Sequence, residues 1–135
     1  ETQVVLPRMN NDIIEIFNNT IDEKLGDVEI EWDKRAAVCV ILTSAGYPLT
    51  FDTGKEILGL DQINCYDNLL VFHAGTTKIG DRYYTAGGRV LGLTVLGENL
   101  DDAISLIYEY IEEVHFEDMH YRTDIGVSKR ESINY

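Results

Sequence analysis

The chain has 135 residues, 44% of them hydrophobic, which predicts one small domain with its own core and at most a segment of a second. Its formal net charge of −13 argues against a nucleic-acid partner, because phosphate backbones are bound by clustered Lys and Arg. No apolar run approaches the roughly 20 residues that span a bilayer and no signal-peptide pattern is present, so we expect a cytoplasmic protein without a membrane partner.

The first predicted element is a helix that starts after Pro7. Asn10, Asn11 and Asp12 can cap its start, and the pattern predicts its end near Leu25 and Gly26. Its apolar residues fall largely on one face: Ile13, Ile14, Ile16, Phe17 and Ile21. We therefore expect this face to pack on the rest of the chain or on a second copy of it.

A buried strand is predicted next, in the uninterrupted apolar run from Ala36 to Leu42. Cys39 lies within this run and is expected to be a small buried hydrophobe. A loop follows from Ser44 to Asp52, and Lys55 to Ile57 starts a short, half-exposed strand.

Further strands and a helix complete the pattern. Residues 68–73 predict a strand, 76–84 a hairpin that turns at Gly80 and Asp81, and 89–96 another strand. A helix follows, with Asn99 as its N-cap and one apolar stripe: Leu100, Ala103, Ile104, Ile107, Tyr108 and Ile111. The predicted fold class is α+β, a mostly antiparallel sheet that carries a C-terminal helix.

Few side chains outside the glycine-rich segments suggest chemistry. His73 has no nucleophile at a recognisable spacing, so we interpret it as a structural histidine on a strand. His115 and His120 flank an acidic pair, but they follow the helix in a polar turn where solvated side chains are expected. Cys39 and Cys65 stand alone, which predicts neither a zinc site nor a disulfide.

The segment Gly87-Gly88-Arg89 is the main candidate for binding. Glycines let the backbone approach a ligand closely, and an arginine can form paired hydrogen bonds with phosphate or carboxylate. Taken alone, the same residues could serve a hairpin or bulge with a solvated edge charge, and local sequence favours that second interpretation.

Five segments in one order carry a resemblance to a known family: Ser44–Pro48, Gly54–Ile57, Val71–Thr76, Gly87–Gly92 and Tyr121–Gly126. They resemble the C-terminal domain of phosphoribosylamine-glycine ligase, an ATP-grasp enzyme of purine biosynthesis. Residues 1–9 look like the family stretch that follows its metal-binding motif. The chain departs from the family pattern at Ala45, Ala86 and Val127.

The resemblance implies a domain organisation. Residues 1–30 would be the helical C-terminal remnant of an ATP-grasp domain, and residues 31–135 the C-terminal domain. The chain would then be a fragment that is inactive alone, with ATP and Mg²⁺ or Mn²⁺ held by the missing ATP-grasp portion. No cofactor, metal ligand or catalytic residue is expected in the fragment itself.

The resemblance also implies a substrate site. The full-length parent would join glycine to 5-phosphoribosylamine, and Gly87, Gly88 and Arg89 would help hold the substrate. Arg122 and Asp124 would line or brace the same cleft, although they could equally form an ordinary surface ion pair. Arginine suits a 5-phosphate through charge-assisted hydrogen bonds.

Two other functions remain open at this stage. The chain could be a non-catalytic packing or scaffold domain whose glycines serve only the backbone, or the C-terminal domain of a different ATP-grasp enzyme. Self-association of the fragment is also possible, because its first helix has an apolar face in need of a partner.

Overall fold

The computed structural model describes residues 1–126, so Val127 and the rest of the predicted C-terminal region lie outside the described residues. The two helices that were predicted are both present, at Ile13–Ile21 and Leu100–Ile111. In chain order the elements are α1 (Thr2–Val5), α2 (Ile13–Ile21), β1 (Ala36–Ser44), β2 (Glu56–Ile57), α3 (Leu60–Ile63), β3 (Leu69–His73), β4 (Thr76–Ile79), β5 (Arg82–Thr85), β6 (Arg89–Gly97), α4 (Leu100–Ile111) and β7 (Met119–His120), with 3₁₀ turns at Leu6–Arg8 and Leu25–Asp27.

The described strands form two antiparallel sheets rather than the single sheet that was predicted. One has the order β3-β6-β1-β7 and the other the order β2-β5-β4. The predicted hairpin is confirmed, with β4 and β5 joined at Gly80 and Asp81. The chain bends at Ala74 and Gly75 and again at Gly87 and Gly88, so β3 and β6 lie in one sheet while β4 and β5 lie in the other.

The core lies between the four-stranded sheet and α4. The pairs Val38 with Val95, Val40 with Leu93, and Leu42 with Leu91 stand opposite one another on β1 and β6 and are almost fully buried. The helix covers this face with its buried residues Ala103, Ile107, Tyr110 and Ile111. Burying such side chains contributes about 1.5–3 kcal/mol each, which makes this layer the main source of stability.

The start of α4 is capped as the sequence predicts. The Asn99 side chain accepts a hydrogen bond from the backbone N–H of Asp102 at 3.0 Å. In return the Asp102 carboxylate accepts one from the N–H of Glu98 at 2.9 Å. The first bond satisfies a backbone donor that the helix leaves free, the second ties the preceding residue to the first turn, and the acidic first turn complements the positive end of the helix dipole.

Cys39, predicted to be a small buried hydrophobe, is only half-buried. Residues of β1 alternate between a buried face and a half-buried face, because a strand presents successive side chains to opposite sides. Cys39 is on the second face, where its Sγ lies 3.6 Å from Gln3 Oε1 of α1. Partial burial raises the pKa of its thiol.

The short helix α1 is seated on this second face by Gln3. The buried Thr94 hydroxyl donates to the Gln3 carbonyl at 2.9 Å. Gly92 gives the Gln3 side chain room, since a Cβ at Gly92 would lie 2.9 Å from Gln3 Oε1. The first residues of the chain are therefore anchored on the sheet.

Helix α2 ends earlier than predicted, at Ile21. The N–H of Lys24 bonds to the Asn19 carbonyl and that of Glu23 to the Thr20 carbonyl, which is a Schellman ending. Glu23 takes the left-handed conformation, with φ of 58°, where glycine is usual. The end was missed because no glycine marks it.

Only part of the apolar face of α2 packs on the described part of the chain. Ile14, Phe17 and Ile21 are 58%, 55% and 78% exposed. The residues just before α2 are held by polar contacts, because the Asn11 side chain forms hydrogen bonds with the backbone of Glu29 and Glu31. None of the described helices is long and apolar enough to cross a bilayer.

Replacing Thr94 with Val tests the hydrogen bond that holds α1 on the sheet. The variant keeps the side-chain shape but loses the donor to the Gln3 carbonyl, so we expect the free energy of unfolding to fall by about 1–2 kcal/mol in urea titrations. Thr77→Val, at an exposed position of β4, is the control and should change it by less than about 0.5 kcal/mol. Equal effects of the two substitutions would contradict this account.

The ion pair of Asp33 and Arg35 predicts a pH dependence. Hydrogen bonds from Arg35 lower the pKa of the Asp33 carboxyl to about 2. A lowered folded-state pKa stabilises the fold above the unfolded pKa of about 4, and this stabilisation is lost as the pH falls through 2. We expect the stability difference between wild type and Asp33→Asn to be constant from pH 7 to 5 and to shrink between pH 4 and 2. A difference that does not vary with pH would rule out the pair as its source.

Candidate functional site

Arg89 starts β6 at an irregularity of the sheet. The register of β1 and β6 is regular until Leu42 pairs with Leu91, and then Thr43 pairs with Arg89, so β6 carries one extra residue at Val90. Regular alternation would put Arg89 on the same face as Leu91, against the core. The bulge instead turns Arg89 to the face of Thr43, opposite α4, as bulges beside binding sites often do.

The turn before Arg89 is held from two sides. The backbone N–H of Ser44 donates to the Gly88 carbonyl at 2.9 Å, and its hydroxyl donates to the Gly87 carbonyl at 3.1 Å. On the other side the N–H of Gly75 donates to the Arg89 carbonyl at 2.7 Å. Gly88 is buried and neither glycine lines a cavity that Arg89 borders, so the turn fixes the position of Arg89 rather than facing a cavity itself.

Close approach explains why glycine stands at these positions. A Cβ at Gly88 would collide with the Tyr47 ring and lie 2.9 Å from Phe51 Cε1. A Cβ at Gly75 would lie 2.6 Å from the Arg89 carbonyl oxygen and 2.7 Å from Gly87 Cα. Backbone atoms cannot yield as side chains can, so Gly75 fixes the path of the diglycine turn.

Arg89 and Arg122 line one cavity of about 380 Å³, which we call the arginine cavity. It opens on the face of β1 that carries Thr43. Its other lining side chains include Ile41, Tyr47, His120 and Tyr121. Two arginines and two tyrosines thus border a space large enough for a small anionic ligand.

Arg122 shares its charge with Asp124. The carboxylate accepts two hydrogen bonds from the guanidinium, both at 2.9 Å. This contact raises the pKa of Arg122 and lowers that of Asp124. Both side chains are about two-thirds exposed, so the pair adds little stability. The exposed pair fits both interpretations of the sequence, a brace for the cavity wall and an ordinary surface ion pair.

Arg89 is not neutralised in this way. None of the ion pairs formed within residues 1–126 includes it. It also lines a second cavity of about 380 Å³, formed with Glu1, Thr2 and Gln3 from the start of the chain. Arg89 therefore lies between two openings and is the side chain best placed to attract an anion.

Of the predicted site residues, Gly87, Gly88 and Asp124 are not among those that line the arginine cavity, and neither are His73 and Lys55. His73 contacts Thr76 through Nδ1 at 2.9 Å and packs on the Tyr83 ring, and burial lowers its pKa. Lys55 forms an ion pair with Glu117 at 2.8 Å. Within residues 1–126, no group of three or more His, Cys, Asp and Glu side chains is placed to hold a metal ion.

Sequence reasoning missed part of the cavity wall. Tyr47 was interpreted as a turn residue and His120 as a solvated one, yet both line the arginine cavity, as does the half-buried Cys39. The available signal was the motif Ser44–Pro48, which lies far from Arg89 in the chain. Only the pairing of β1 with β6 brings the two segments together.

A comparison with protein-family models gives one match, described as phosphoribosylglycinamide synthetase, C domain, over residues 37–128. The chain belongs to this family. The match includes β1 from its second residue onward and the whole of β6, together with Arg89, Arg122 and Asp124. It confirms the resemblance that the ordered motifs indicated.

Named relatives agree with this assignment. The chain is 44% identical to a phosphoribosylamine-glycine ligase of Clostridium acetobutylicum, with 96% of this chain and 30% of the relative aligned. It is also 44% identical to the bifunctional purine biosynthetic protein purD of Dictyostelium discoideum, over 93% of this chain and 16% of that protein. The chain thus spans at most about 30% of the length of these relatives.

A solved structure shares the fold. The phosphoribosylamine-glycine ligase of Thermotoga maritima aligns with a TM-score of 0.61 and 35% identity, covering 82% of this chain and 27% of that one. The mixed fold of antiparallel sheets and a helix is therefore that of the phosphoribosylglycinamide synthetase C domain.

Replacing Gly75 with Ala tests the two-sided hold on the diglycine turn. The added methyl group meets backbone atoms of Gly87 and Arg89, so we expect unfolding to become easier by about 1–3 kcal/mol. Gly26→Ala is the matched control, because a Cβ there meets nothing within 4 Å. Thermal and urea unfolding of both variants measure the difference, and a Gly75→Ala variant as stable as wild type would show that the turn can shift freely.

Proposed function

We propose that the chain is the C-terminal part of an ATP-dependent ligase that joins glycine to 5-phosphoribosylamine to form glycinamide ribonucleotide in purine biosynthesis. Residues 1–30 would be the remnant of an ATP-grasp domain and residues 31–135 the C-terminal domain. The observation that carries the proposal is the arginine cavity, where Arg89 and Arg122 meet in a chain of this family. The names of the relatives supply the substrates.

The role of the site residues would be to bind and orient the sugar phosphate. Arg89 would donate paired hydrogen bonds to the 5-phosphate, and Gly87 and Gly88 would help hold the substrate by fixing the turn that carries Arg89. Arg122, braced by Asp124, would complete the wall. Holding the phosphate fixes where the amine of 5-phosphoribosylamine lies, and such positioning can supply a large part of a rate enhancement.

ATP and Mg²⁺ or Mn²⁺ would be held outside this chain. Hard divalent cations need several oxygen ligands, and the described residues offer no cluster of three carboxylate, histidine or cysteine side chains. The proposed partners of the chain are therefore the missing ATP-grasp portion of the parent, 5-phosphoribosylamine and glycine. The chain alone would be inactive, and the parent would act in the cytoplasm.

A packing or scaffold role is the second candidate function. It is favoured by the exposed apolar face of α2, which needs a partner of some kind. The family match favours the glycine ligase over a different ATP-grasp enzyme. A scaffold would not need a free arginine in a cavity, so the substitution of Arg89 separates the two functions.

The deciding experiment is Arg89→Ala in the full-length parent, assayed for glycinamide ribonucleotide formation. Losing charge-assisted hydrogen bonds to a phosphate should raise KM for 5-phosphoribosylamine by about 10- to 100-fold, while the KM for ATP stays unchanged. Arg89→Lys keeps the charge and should lose less. Thermal melts establish that each variant is folded.

Arg82→Ala is the matched control. Arg82 is also an exposed strand arginine, but it pairs with Glu56 at the edge of the other sheet. We expect it to leave KM unchanged, and the 135-residue chain assayed alone to form no product. If Arg89→Ala melts normally and keeps its KM, the proposed role of Arg89 is wrong. A parent that forms no glycinamide ribonucleotide would overturn the proposed function as a whole.

A further inference from the structure

Tyr47 contacts both the backbone of the diglycine turn and the arginine cavity. Its ring packs on Gly88 so closely that a Cβ at that position would collide with it. The same ring lines the cavity beside Arg89 and Arg122 and remains 41% exposed. A tyrosine that supports the turn and also faces the cavity is placed to contact whatever the arginines bind.

The ring is held in place by its own loop. The N–H of Tyr47 bonds to the Ser44 carbonyl at 3.3 Å, and the Phe51 ring lies 6.3 Å away, tilted by 54°. Ser44 is itself bonded to the carbonyls of Gly87 and Gly88. The backbones of Tyr47 and of the diglycine turn are thus connected through Ser44, which keeps the loop that carries the ring beside the turn.

The arginine cavity combines positive charge with an apolar and aromatic wall, a combination that suits a phosphate group attached to a sugar. Arg89 and Arg122 provide positive charge, whereas the wall near them is apolar or aromatic, from Ile41 and the rings of Tyr47 and Tyr121. A phosphate group satisfies the arginines but has no apolar surface for the wall. A sugar ring attached to the phosphate has such a surface on its C–H face, which packs well on a flat aromatic ring.

We propose that Tyr47 is a positioning residue for the sugar of the bound sugar phosphate. Its ring forms the wall on which the ribose rests, and it thereby sets the direction in which the sugar leaves the phosphate held by Arg89. This inference rests on the proposed function and adds to it a residue that discriminates a sugar phosphate from a free phosphate.

The test compares two probes, ribose 5-phosphate and inorganic phosphate, by calorimetric titration of the full-length protein. Tyr47→Leu keeps an apolar side chain against Gly88 but removes the flat ring. We expect it to weaken ribose 5-phosphate binding by about 3- to 10-fold and to leave inorganic phosphate within about twofold. Tyr47→Phe retains the ring and should bind both probes like wild type.

Two further variants fix the interpretation. Arg89→Ala should weaken both probes, because both carry the phosphate. Tyr84→Leu replaces a tyrosine of β5 in the other sheet and should change neither. Thermal melts of every variant confirm that the fold is kept.

Each remaining outcome overturns the inference in a recognisable way. If Tyr47→Leu weakens both probes equally, the ring acts only through the turn. If it weakens neither, the sugar does not touch it. If wild type binds ribose 5-phosphate no better than inorganic phosphate, the cavity wall does not contact the sugar, while the role of Arg89 in binding phosphate stands. If wild type binds neither probe, the proposed function fails together with the role of Tyr47.

Discussion

The antiparallel pairing of β1 with β6 is the constraint on which both the core and the candidate site depend. Along most of its length this pairing places Val38, Val40 and Leu42 opposite their partners on one face, where α4 covers them. At its end the register shifts by one residue, and Arg89 turns to the other face. A regular register would bury the arginine against Leu42 and Leu91, at a high cost for an unpaired charge.

Backbone contacts rather than side-chain bulk shape the turn that presents Arg89. The glycines let two other loops come close to the turn at residues 87–89. Ser44 donates to the carbonyls of Gly87 and Gly88, and Gly75 donates to the carbonyl of Arg89. These bonds close loops of more than ten residues, so their entropic cost is met by the core that holds β1, β3 and β6 together. The position of Arg89 is thus fixed by the strands of the sheet that hold the turn.

The charge of the chain and the charge of the cavity have opposite signs. The net charge is −13, yet Arg89 and Arg122 both line one opening. At physiological ionic strength exposed charges interact over only about 8–10 Å. A small anion at the cavity therefore responds to the local arginines more than to the distant carboxylates. The net negative charge disfavours long polyanions, whereas a single phosphate is affected mainly by the charges beside the cavity.

The sequence by itself determined those helices, strands and turns that are marked by short local patterns. The cap at Asn99, the hairpin turn at Gly80 and the strand from Arg89 follow from short patterns that the structure confirms, and the ordered motifs were enough to indicate the family. The end of α2 was missed because Glu23 takes a conformation that its residue type disfavours.

Only the tertiary structure decided how the site is assembled. Tyr47 and Arg89 are 42 positions apart in the sequence, and no local pattern states that they share a cavity. The half-burial of Cys39 and the outward turn of Arg89 depend on which face α4 covers and on one extra residue in β6. These features come from register and packing between distant segments, because the faces of a strand are distinguished only by what packs against them.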